Sequence, residues 1–191
     1  MQLILASQSP RRKELLGLFH IPFTIQAADI DEAMDPAKAP FDEVARVSCL
    51  KAMAIGKGPE DVVVAADTIV VCGGRVLGKP HSGEEAKQML SLLSGRDHQV
   101  MTGLTVLRGD TVRTVTEVTD IHFRPLSQRE IDSYVATGEP MDKAGAYGIQ
   151  GGAALFAENM VGDYNNVMGL TVCRLWKLLG EVAPELMEGN V

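Results

Sequence analysis

The sequence predicts an α/β fold in which helices flank a mixed, twisted β-sheet. A short apolar run at residues 3–6 leads directly into an amphipathic helix pattern. A nearly continuous β-branched run at residues 62–71 is typical of a strand that is buried on both faces, as in parallel sheets. Two longer strand patterns, residues 100–107 and 112–123, meet at a Gly-Asp turn and indicate that part of the sheet is antiparallel.

The composition is that of an ordinary globular protein. The 191 residues are 46% hydrophobic, which suffices for one sizeable domain or two small lobes with a buried core. A net charge of −7 argues against broad nucleic-acid binding. Three scattered cysteines without a C-x-x-C motif indicate a reduced chain rather than a disulfide framework or a structural zinc site. Without a signal-peptide pattern or a membrane-length apolar stretch, the protein is expected to be cytoplasmic, with no membrane partner.

The first helix is expected to begin at Pro10, because Ser9 is a good N-cap and proline is tolerated at the first helical position. Arg11, Arg12 and Lys13 then occupy the first turn, where the helix dipole makes each cation unfavourable by roughly 0.3–1 kcal/mol. A solvated basic turn is one interpretation. We favour an anion site for a polyphosphate, because N–H groups, dipole and guanidinium groups would converge on it.

The next segments are a short strand, Phe23–Ile25, and an acidic loop over residues 29–35. The carboxylates of that loop indicate either a solvated loop or the oxygen ligands of a hard cation such as Mg²⁺. Residues 42–55 have the 3.6-residue period of a helix, and Lys51 falls on its apolar face. The spacing leaves open whether the Lys51 ammonium group reaches solvent or enters a cleft.

Asp67 interrupts the apolar strand at residues 62–71. By alternation it shares a face with Ala65 and Ile69, while Thr68 points to the opposite face. An ionised carboxylate in such surroundings is unfavourable unless it is paired, bound to a metal or at the open end of the strand. An aspartate that accepts backbone hydrogen bonds at a strand end is the structural alternative. We favour a functional role for Asp67.

A Gly73–Gly74 turn is expected to lead into a hairpin strand at residues 75–77. The segment from this turn to Lys79 matches the first seven positions of a P-loop. Pro80, however, stands where the motif needs a serine or threonine, and the glycines join two strands rather than a strand and a helix. We therefore reject a P-loop. Lys79 remains a candidate cation near Asp67 through the hairpin, with an ordinary loop lysine as the alternative.

Two later helices are expected to begin with capping boxes, Ser82 with Glu85 and Ser127 with Glu130. These boxes belong to the scaffold. They contrast with the first helix, whose N-cap has no acidic partner three residues later.

The segment at residues 139–152 is rich in glycine, which allows a backbone to approach a ligand closely. Gln150 can present a donor and an acceptor to a base edge, and Tyr147 can stack or pack. A glycine-rich connector is the alternative. The chain is then expected to form a strand at 155–161, a loop at 163–166, a closing helix at 170–179 and a frayed tail from residue 180.

Four segments, in this order and spacing, closely resemble the Maf family of nucleoside triphosphate pyrophosphatases: Ala6–Arg12, Ala66–Thr68, Gly78–Pro80 and Asp142–Gly151. The resemblance covers nearly the whole chain. The stretch Lys143–Gly151 resembles the branch that acts on dTTP and UTP rather than the branch that acts on 7-methyl-GTP. One departure is Thr171, which stands where the family commonly has proline.

The resemblance implies a single Maf-like domain over residues 1–191, with two lobes around a central cleft as in ITPase-like folds and the active site between them. It implies hydrolysis of dTTP, UTP and modified pyrimidine nucleotides between the α and β phosphates, giving the nucleoside monophosphate and pyrophosphate. It further implies a homodimer and a divalent metal cofactor, Mg²⁺ with Mn²⁺ as an alternative.

Residue roles follow from the matching positions of the family. Asp67 matches the proton acceptor. Polar residues of the active cleft are matched by Ser7, Arg12, Glu32, Lys51 and Lys79, and positions that set base preference are matched by Arg11, Thr68 and Gln150. We expect Glu32 and Asp67 to hold the metal, while Arg12, Lys51 and Lys79 hold the triphosphate.

Two rival functions stay open at this point. One is a nucleotide-binding regulator of cell division that acts through protein contacts. The other is a metal-dependent phosphomonoesterase, which would release orthophosphate instead of pyrophosphate.

Overall fold

The chain alternates between strands and helices, and the computed structural model describes residues 1–188. The strands are Leu3–Leu5 (β1), Phe23–Ile25 (β2), Val62–Cys72 (β3), Arg75–Leu77 (β4), Asp97–Arg108 (β5), Thr111–Phe123 (β6) and Ala157–Val161 (β7). The α-helices are Pro10–Gly17 (α1), Pro40–Met53 (α2), Gly83–Leu93 (α3), Gln128–Ala136 (α4), Tyr164–Met168 (α5) and Val172–Val182 (α6). Short 3₁₀ turns lie at Glu139–Asp142, Ala144–Ala146, Gly152–Leu155 and Pro184–Leu186.

The strands form one mixed sheet, which confirms the predicted α/β class. Their order is β2-β1-β3-β5-β6-β7, and β4 pairs with β3. β1 is parallel to both of its neighbours, with Leu3 opposite Phe23 on one side and Val62 on the other. β4 runs antiparallel to β3, and β7 runs antiparallel to β6. β3 is buried along its length except at Thr68, which explains its uninterrupted β-branched sequence.

The chain divides into two compact units, which we call unit 1 and unit 2. Unit 1 contains Met1–Asp67, Thr102–Glu117 and the described chain from Gly169 onward. Unit 2 contains Thr68–Met101 and Val118–Met168. The long strands β3, β5 and β6 each contribute residues to both units. The placement of an active cleft between two lobes stays a prediction.

In unit 1, α2 packs closely against β5. A Cβ atom added to Gly103 of β5 would overlap the Val44 carbonyl oxygen and lie 2.9 Å from the Ala45 Cα of α2. One turn further along α2, the Ser48 hydroxyl lies 2.8 Å from the Thr105 hydroxyl. Both side chains are fully buried, so this polar contact satisfies groups that have left water. The close approach fixes the helix that carries Lys51.

In unit 2, aromatic rings form the centre of the core. Phe123 makes edge-on contacts with His98 and Tyr147, at centroid distances of 4.8 Å in both cases. The Tyr147 hydroxyl lies 2.9 Å from His98 Nε2, and burial lowers the pKa of His98 to about 4. Of the two roles considered for Tyr147, the structure therefore supports packing.

Several predicted boundaries are wrong, and each has a local cause. The predicted loop at residues 163–166 contains the start of α5, because the Asp163 carboxylate accepts a hydrogen bond from the Asn165 N–H at 2.8 Å and turns the chain. The strand predicted from residue 155 begins at Ala157, since the preceding residues form a 3₁₀ turn.

The predicted frayed tail from residue 180 is also wrong over its first part. α6 continues to Val182, and Glu185 in the following 3₁₀ turn forms a 2.6 Å ion pair with Arg108. The rest of that predicted tail, residues 189–191, lies outside the described residues. Among residues 1–188, no helix has the length and hydrophobicity needed to cross a membrane.

Of the two predicted capping boxes, only the second is complete. Ser127 and Glu130 bond reciprocally at the start of α4. At the start of α3, the Ser82 hydroxyl accepts from the Glu85 N–H at 3.1 Å, but the Glu85 carboxylate accepts from the His81 N–H at 2.7 Å. The Glu85 carboxylate thus binds the N–H of the residue before the N-cap, whereas a capping box requires the N–H of Ser82 itself.

The contact between α2 and β5 predicts opposite results for two glycine substitutions. Gly103→Ala should destabilise the protein by about 1–3 kcal/mol or more, because the new methyl group overlaps the backbone of α2. Gly17→Ala, in α1, meets no atom within 4 Å and should be neutral or stabilising by up to about 1 kcal/mol. Urea unfolding measures both, and equal stability of the two variants would contradict the close packing.

Candidate active site

Serine hydroxyl groups, without carboxylates, organise the N-terminus of α1. The Ser9 hydroxyl accepts from the Arg12 N–H at 3.5 Å, and the Ser9 N–H donates to the Ser7 hydroxyl at 3.2 Å. No acidic residue lies in the first turn of this helix. The predicted N-cap is confirmed. No acidic side chain in the first turn offsets the positive end of the helix dipole.

The Arg12 side chain is held from two directions. Its Nε donates to the Gly169 carbonyl oxygen at 2.7 Å, and its Nη1 donates to the Ser7 hydroxyl at 3.3 Å. Burial lowers the pKa of Arg12, and the charges of Asp67 and Glu32 oppose this shift. Both carboxylates therefore act on the same guanidinium group, and the fork of Arg12 has a fixed orientation.

The Lys51 ammonium group joins the two carboxylates. Lys51 lies on the buried face of α2, and its Nζ donates to Asp67 Oδ1 at 2.7 Å. The same nitrogen forms an ion pair with Glu32 Oε2 at 2.9 Å. The Lys51 and Asp67 side chains are only 9% and 10% exposed, whereas that of Glu32 is 56% exposed. Of the two alternatives for Lys51, the ammonium group turns inward, and Asp67 has the partner that its burial requires.

The charges of this group balance without a ligand. Two cations, Arg12 and Lys51, face two anions, Asp67 and Glu32, within unit 1. A triphosphate would add several negative charges to this balanced set. A metal ion bound together with such a substrate would offset part of this added charge.

The two carboxylates fit the chemistry of such an ion. Glu32 Oε2 and Asp67 Oδ1 both contact Lys51 Nζ, at 2.9 and 2.7 Å, so the ammonium group occupies the point between them. Mg²⁺ is commonly held by one or two carboxylates plus substrate phosphate oxygens, and Mn²⁺ accepts the same oxygen ligands. Within residues 1–188, no group of three or more His, Cys, Asp or Glu side chains could hold a metal. Two carboxylate oxygens are too few ligands by themselves, so a metal held by Glu32 and Asp67 would need further oxygen ligands from substrate or water.

The remaining predicted site residues have distinct places. Arg11 lies in α1, and its positive charge lowers the pKa of Arg12 slightly further. Unit 2 contains Thr68, the half-buried residue after Asp67 in β3, together with Lys79 and Gln150, which are exposed in loops. The structure thus brings together five of the predicted residues in unit 1: Ser7, Arg12, Glu32, Lys51 and Asp67. The roles of all the residues stay predictions.

In unit 2, Glu139 fixes the loop that carries Gln150. The Tyr134 hydroxyl donates to Glu139 Oε1 at 2.9 Å and accepts from the Gly148 N–H at 3.1 Å. Glu139 Oε2 accepts from the Gly152 N–H at 3.1 Å. A Cβ atom at Gly151 would overlap the Glu139 carboxylate, which explains a glycine at that position. Both ends of the loop are therefore fixed, with Gln150 between them.

Sequence reasoning missed two features of unit 1. The Gly169 carbonyl that holds Arg12 gives no sequence signal, because a backbone acceptor is present at every residue. The ion pair between Glu43 and Arg46 could have been found, since residues three apart on a helix are neighbours.

Comparison with known proteins gives consistent matches over more than nine-tenths of the chain. Residues 2–182 match the family model described as Maf-like protein. A protein of Symbiobacterium thermophilum named dTTP/UTP pyrophosphatase is 48% identical over 190 residues, covering 99% of this chain and 98% of the relative. Relatives of the same name from Halalkalibacterium halodurans and Bacillus cereus are 49% and 46% identical, covering 93% and 91% of this chain and 94% and 92% of their own lengths.

The fold also has a counterpart among solved structures. A HAM1 protein from Coxiella burnetii superposes with a TM-score of 0.51 at 16% sequence identity, covering 95% of this chain and 99% of that chain. This similarity supports the architecture alone.

The buried pair between Lys51 and Asp67 predicts a measurable loss of stability. Lys51→Met should cost about 3 kcal/mol, because it leaves a buried carboxylate without its nearest cation; Arg12 keeps the cost at the lower end of the usual range. Adding Asp67→Asn to this variant should recover part of the loss.

Urea unfolding of the single and double variants provides the measurement. Lys87→Met is the control, because Lys87 forms an ion pair with Asp132 in which the side chains are 35% and 46% exposed, far more than those of Lys51 and Asp67. An effect of Lys51→Met no larger than that of the control would contradict the burial of the pair.

Proposed function

This chain belongs to the Maf family, and from that premise we propose that it hydrolyses dTTP and UTP to the nucleoside monophosphate and pyrophosphate. The observation that carries the proposal is the convergence of Arg12 and Lys51 with Asp67 and Glu32 in unit 1. Such a group can bind phosphates, hold a metal and take a proton from water. The names of relatives that are 46–49% identical over more than nine-tenths of the chain support the same activity.

The triphosphate binds to the cations of unit 1. Arg12 presents its guanidinium plane in the orientation set by the Gly169 carbonyl and the Ser7 hydroxyl, and a fixed fork suits phosphate oxygens. The N-terminus of α1 adds the positive end of its dipole. Because these donors are positioned before the substrate arrives, they need little reorganisation when charge develops on the phosphates.

Asp67 is assigned as the proton acceptor. Lys51 holds Asp67 Oδ1 at 2.7 Å, which orients the carboxylate, and we assign the other oxygen to the attacking water. When bound to Glu32 and Asp67, Mg²⁺ or Mn²⁺ would neutralise charge on the phosphate oxygens. Lys79, in unit 2, is assigned to the triphosphate by family position.

Base selection is assigned to Arg11, Thr68 and Gln150. Uracil and thymine share an N–H donor and a carbonyl acceptor on adjacent ring positions, and the Gln150 amide can pair with both. The two anchors that Glu139 provides, one through Tyr134 to the Gly148 N–H and one to the Gly152 N–H, hold the backbone on both sides of Gln150. As the family resemblance implies, we further propose a homodimer in the cytoplasm that also accepts modified pyrimidine nucleotides.

The assignment of Asp67 predicts a loss of turnover without loss of the fold. Asp67→Asn should reduce pyrophosphate release from UTP by about 10²–10⁴-fold, because an amide cannot accept the proton of the attacking water. Asp110→Asn, at the exposed turn between β5 and β6, is the matched control and should keep normal turnover.

Pyrophosphate and orthophosphate are measured separately with UTP, dTTP and Mg²⁺, and circular dichroism verifies the fold. Near-normal pyrophosphate release by folded Asp67→Asn would contradict the role of Asp67. Orthophosphate as the first product of the wild type would instead indicate a phosphomonoesterase, and tight UTP binding without either product would indicate a regulator.

The assignment of Gln150 predicts weaker discrimination between bases. Gln150→Ala should reduce the ratio of kcat/KM for UTP to that for CTP by about tenfold, the value of one good hydrogen bond. Gln88→Ala, an exposed glutamine in α3, is the control and should leave the ratio unchanged. An unchanged ratio in Gln150→Ala would remove Gln150 from base selection.

A further inference from the structure

Glu43 is a buried charged residue that the proposed chemistry does not use. It lies in the first turn of α2, and the whole residue is only 1% exposed. Arg46 Nε donates to Glu43 Oε1 at 2.9 Å, and Arg46 Nη2 donates to Glu43 Oε2 at 2.8 Å. These bonds, together with one from the Asp35 N–H at 2.8 Å, lower the pKa of Glu43 to about 2. The carboxylate therefore stays ionised at every pH at which an enzyme of this kind would be assayed.

Besides a 3.9 Å ion pair from Lys38 to Glu43, this pair makes hydrogen bonds to the backbone of the acidic loop. Glu43 accepts from the N–H of Asp35, and Arg46 Nη2 donates to the carbonyl oxygen of Ala33 at 2.8 Å. Residues 26–35 of this loop have no helix or strand of their own. Ala33 directly follows Glu32 in the chain. The pair thus attaches the loop to α2 immediately beside the residue assigned to the metal.

The same helix, α2, also carries Lys51, which contacts the Glu32 carboxylate. Lys51 lies eight residues after Glu43 on α2, a rise of about 12 Å along the helix axis. Lys51 Nζ lies 2.9 Å from Glu32 Oε2, although the Glu32 side chain is 56% exposed. An exposed ion pair holds a long side chain only weakly on its own. The hydrogen bonds to the loop backbone at residues 33 and 35 therefore orient Glu32 toward Lys51, which the exposed ion pair alone would do only weakly.

We propose that Glu43 and Arg46 are positioning residues, a clasp that holds the acidic loop on α2 so that the Glu32 carboxylate meets Lys51 and Asp67. The clasp rests on the proposed function in one respect, the role of Glu32 in holding the metal. It touches neither the substrate nor the metal. Its effect is to reduce the freedom of the loop before a metal and a triphosphate bind.

The kinetic test is a double-mutant cycle on the dependence of turnover on Mg²⁺. Glu43→Gln should raise the Mg²⁺ concentration that gives half-maximal pyrophosphate release by about fivefold to tenfold, while Glu32→Gln should raise it further. In the doubly substituted variant, Glu43→Gln should have no added effect, because the residue through which it acts is gone.

A matched control separates positioning from general stability. Glu130 is a helix-start glutamate of unit 2 whose pKa is also lowered to about 2, and its partner Arg124 likewise donates to a backbone carbonyl, that of Leu155. Glu130→Gln should lower stability without changing the Mg²⁺ dependence. An unchanged Mg²⁺ dependence in Glu43→Gln, or additive effects in the double variant, would overturn the proposal.

A measurement without turnover separates this proposal from the proposed function. Hydrogen–deuterium exchange of the peptide covering residues 29–39 should become about tenfold faster in Glu43→Met than in the wild type, since methionine offers the Asp35 N–H no carboxylate or amide oxygen to accept its hydrogen bond. Unchanged exchange would overturn the clasp. If the wild type releases no pyrophosphate, the proposed function fails, and the exchange result alone decides whether the clasp holds the loop.

Discussion

The structure of unit 1 depends on one buried ion pair, that between Lys51 and Asp67. Removing both charges from water costs several kcal/mol for each ion, and only close contact with good geometry offsets that cost. The 2.7 Å contact provides this geometry, and the more exposed Glu32 provides a second anion for the ammonium group. α2 and β3 must therefore meet where these two side chains lie. The candidate site is thus part of what determines the packing of unit 1, and loss of the Lys51 charge alone would leave a buried carboxylate without its nearest partner.

At the N-terminus of α1, unfavourable electrostatic contributions are likewise offset in part by close contacts. Basic residues at this end of a helix are unfavourable, and burial lowers the pKa of Arg12 further. The nearby carboxylates stabilise the charged guanidinium group, and the Gly169 carbonyl accepts one of its hydrogen bonds. Such violations of local preference are expected where a sequence serves a ligand, because an anion bound there would reverse the sign of each unfavourable contribution. The scaffold helix α4 also has a cation, Arg129, in its first turn, but there Glu130 of the complete capping box offsets it.

The sequence was most informative where the local pattern decides the structure. The β-branched run of β3, the cap of α1 and the need of Asp67 for a partner all follow from nearest neighbours along the chain. The identity of that partner does not, because Lys51 is 16 residues away and only the packing of α2 selects its inward orientation. The Glu85 carboxylate bonds to the His81 N–H instead of the Ser82 N–H, a choice between adjacent donors that the residue types leave undetermined. The α5 helix was missed because the Asp163 cap was read as an ordinary loop residue.

Two loops carry candidate ligand-binding residues, and each is held by a glutamate that accepts backbone N–H groups. In unit 1, Glu43 holds the loop of Glu32 through the Asp35 N–H. In unit 2, Glu139 holds the loop of Gln150 through the Gly152 N–H. A loop with so few bonds of its own keeps its direction only while such an anchor is present, whereas the sheet and the helices are held by extensive buried surface. Loss of an anchor should therefore change how well a metal or a base is bound more than it changes the free energy of unfolding. Residues that never touch the ligand can in this way determine its affinity, and the loop N–H groups that they bind, rather than proximity to the chemistry, identify them.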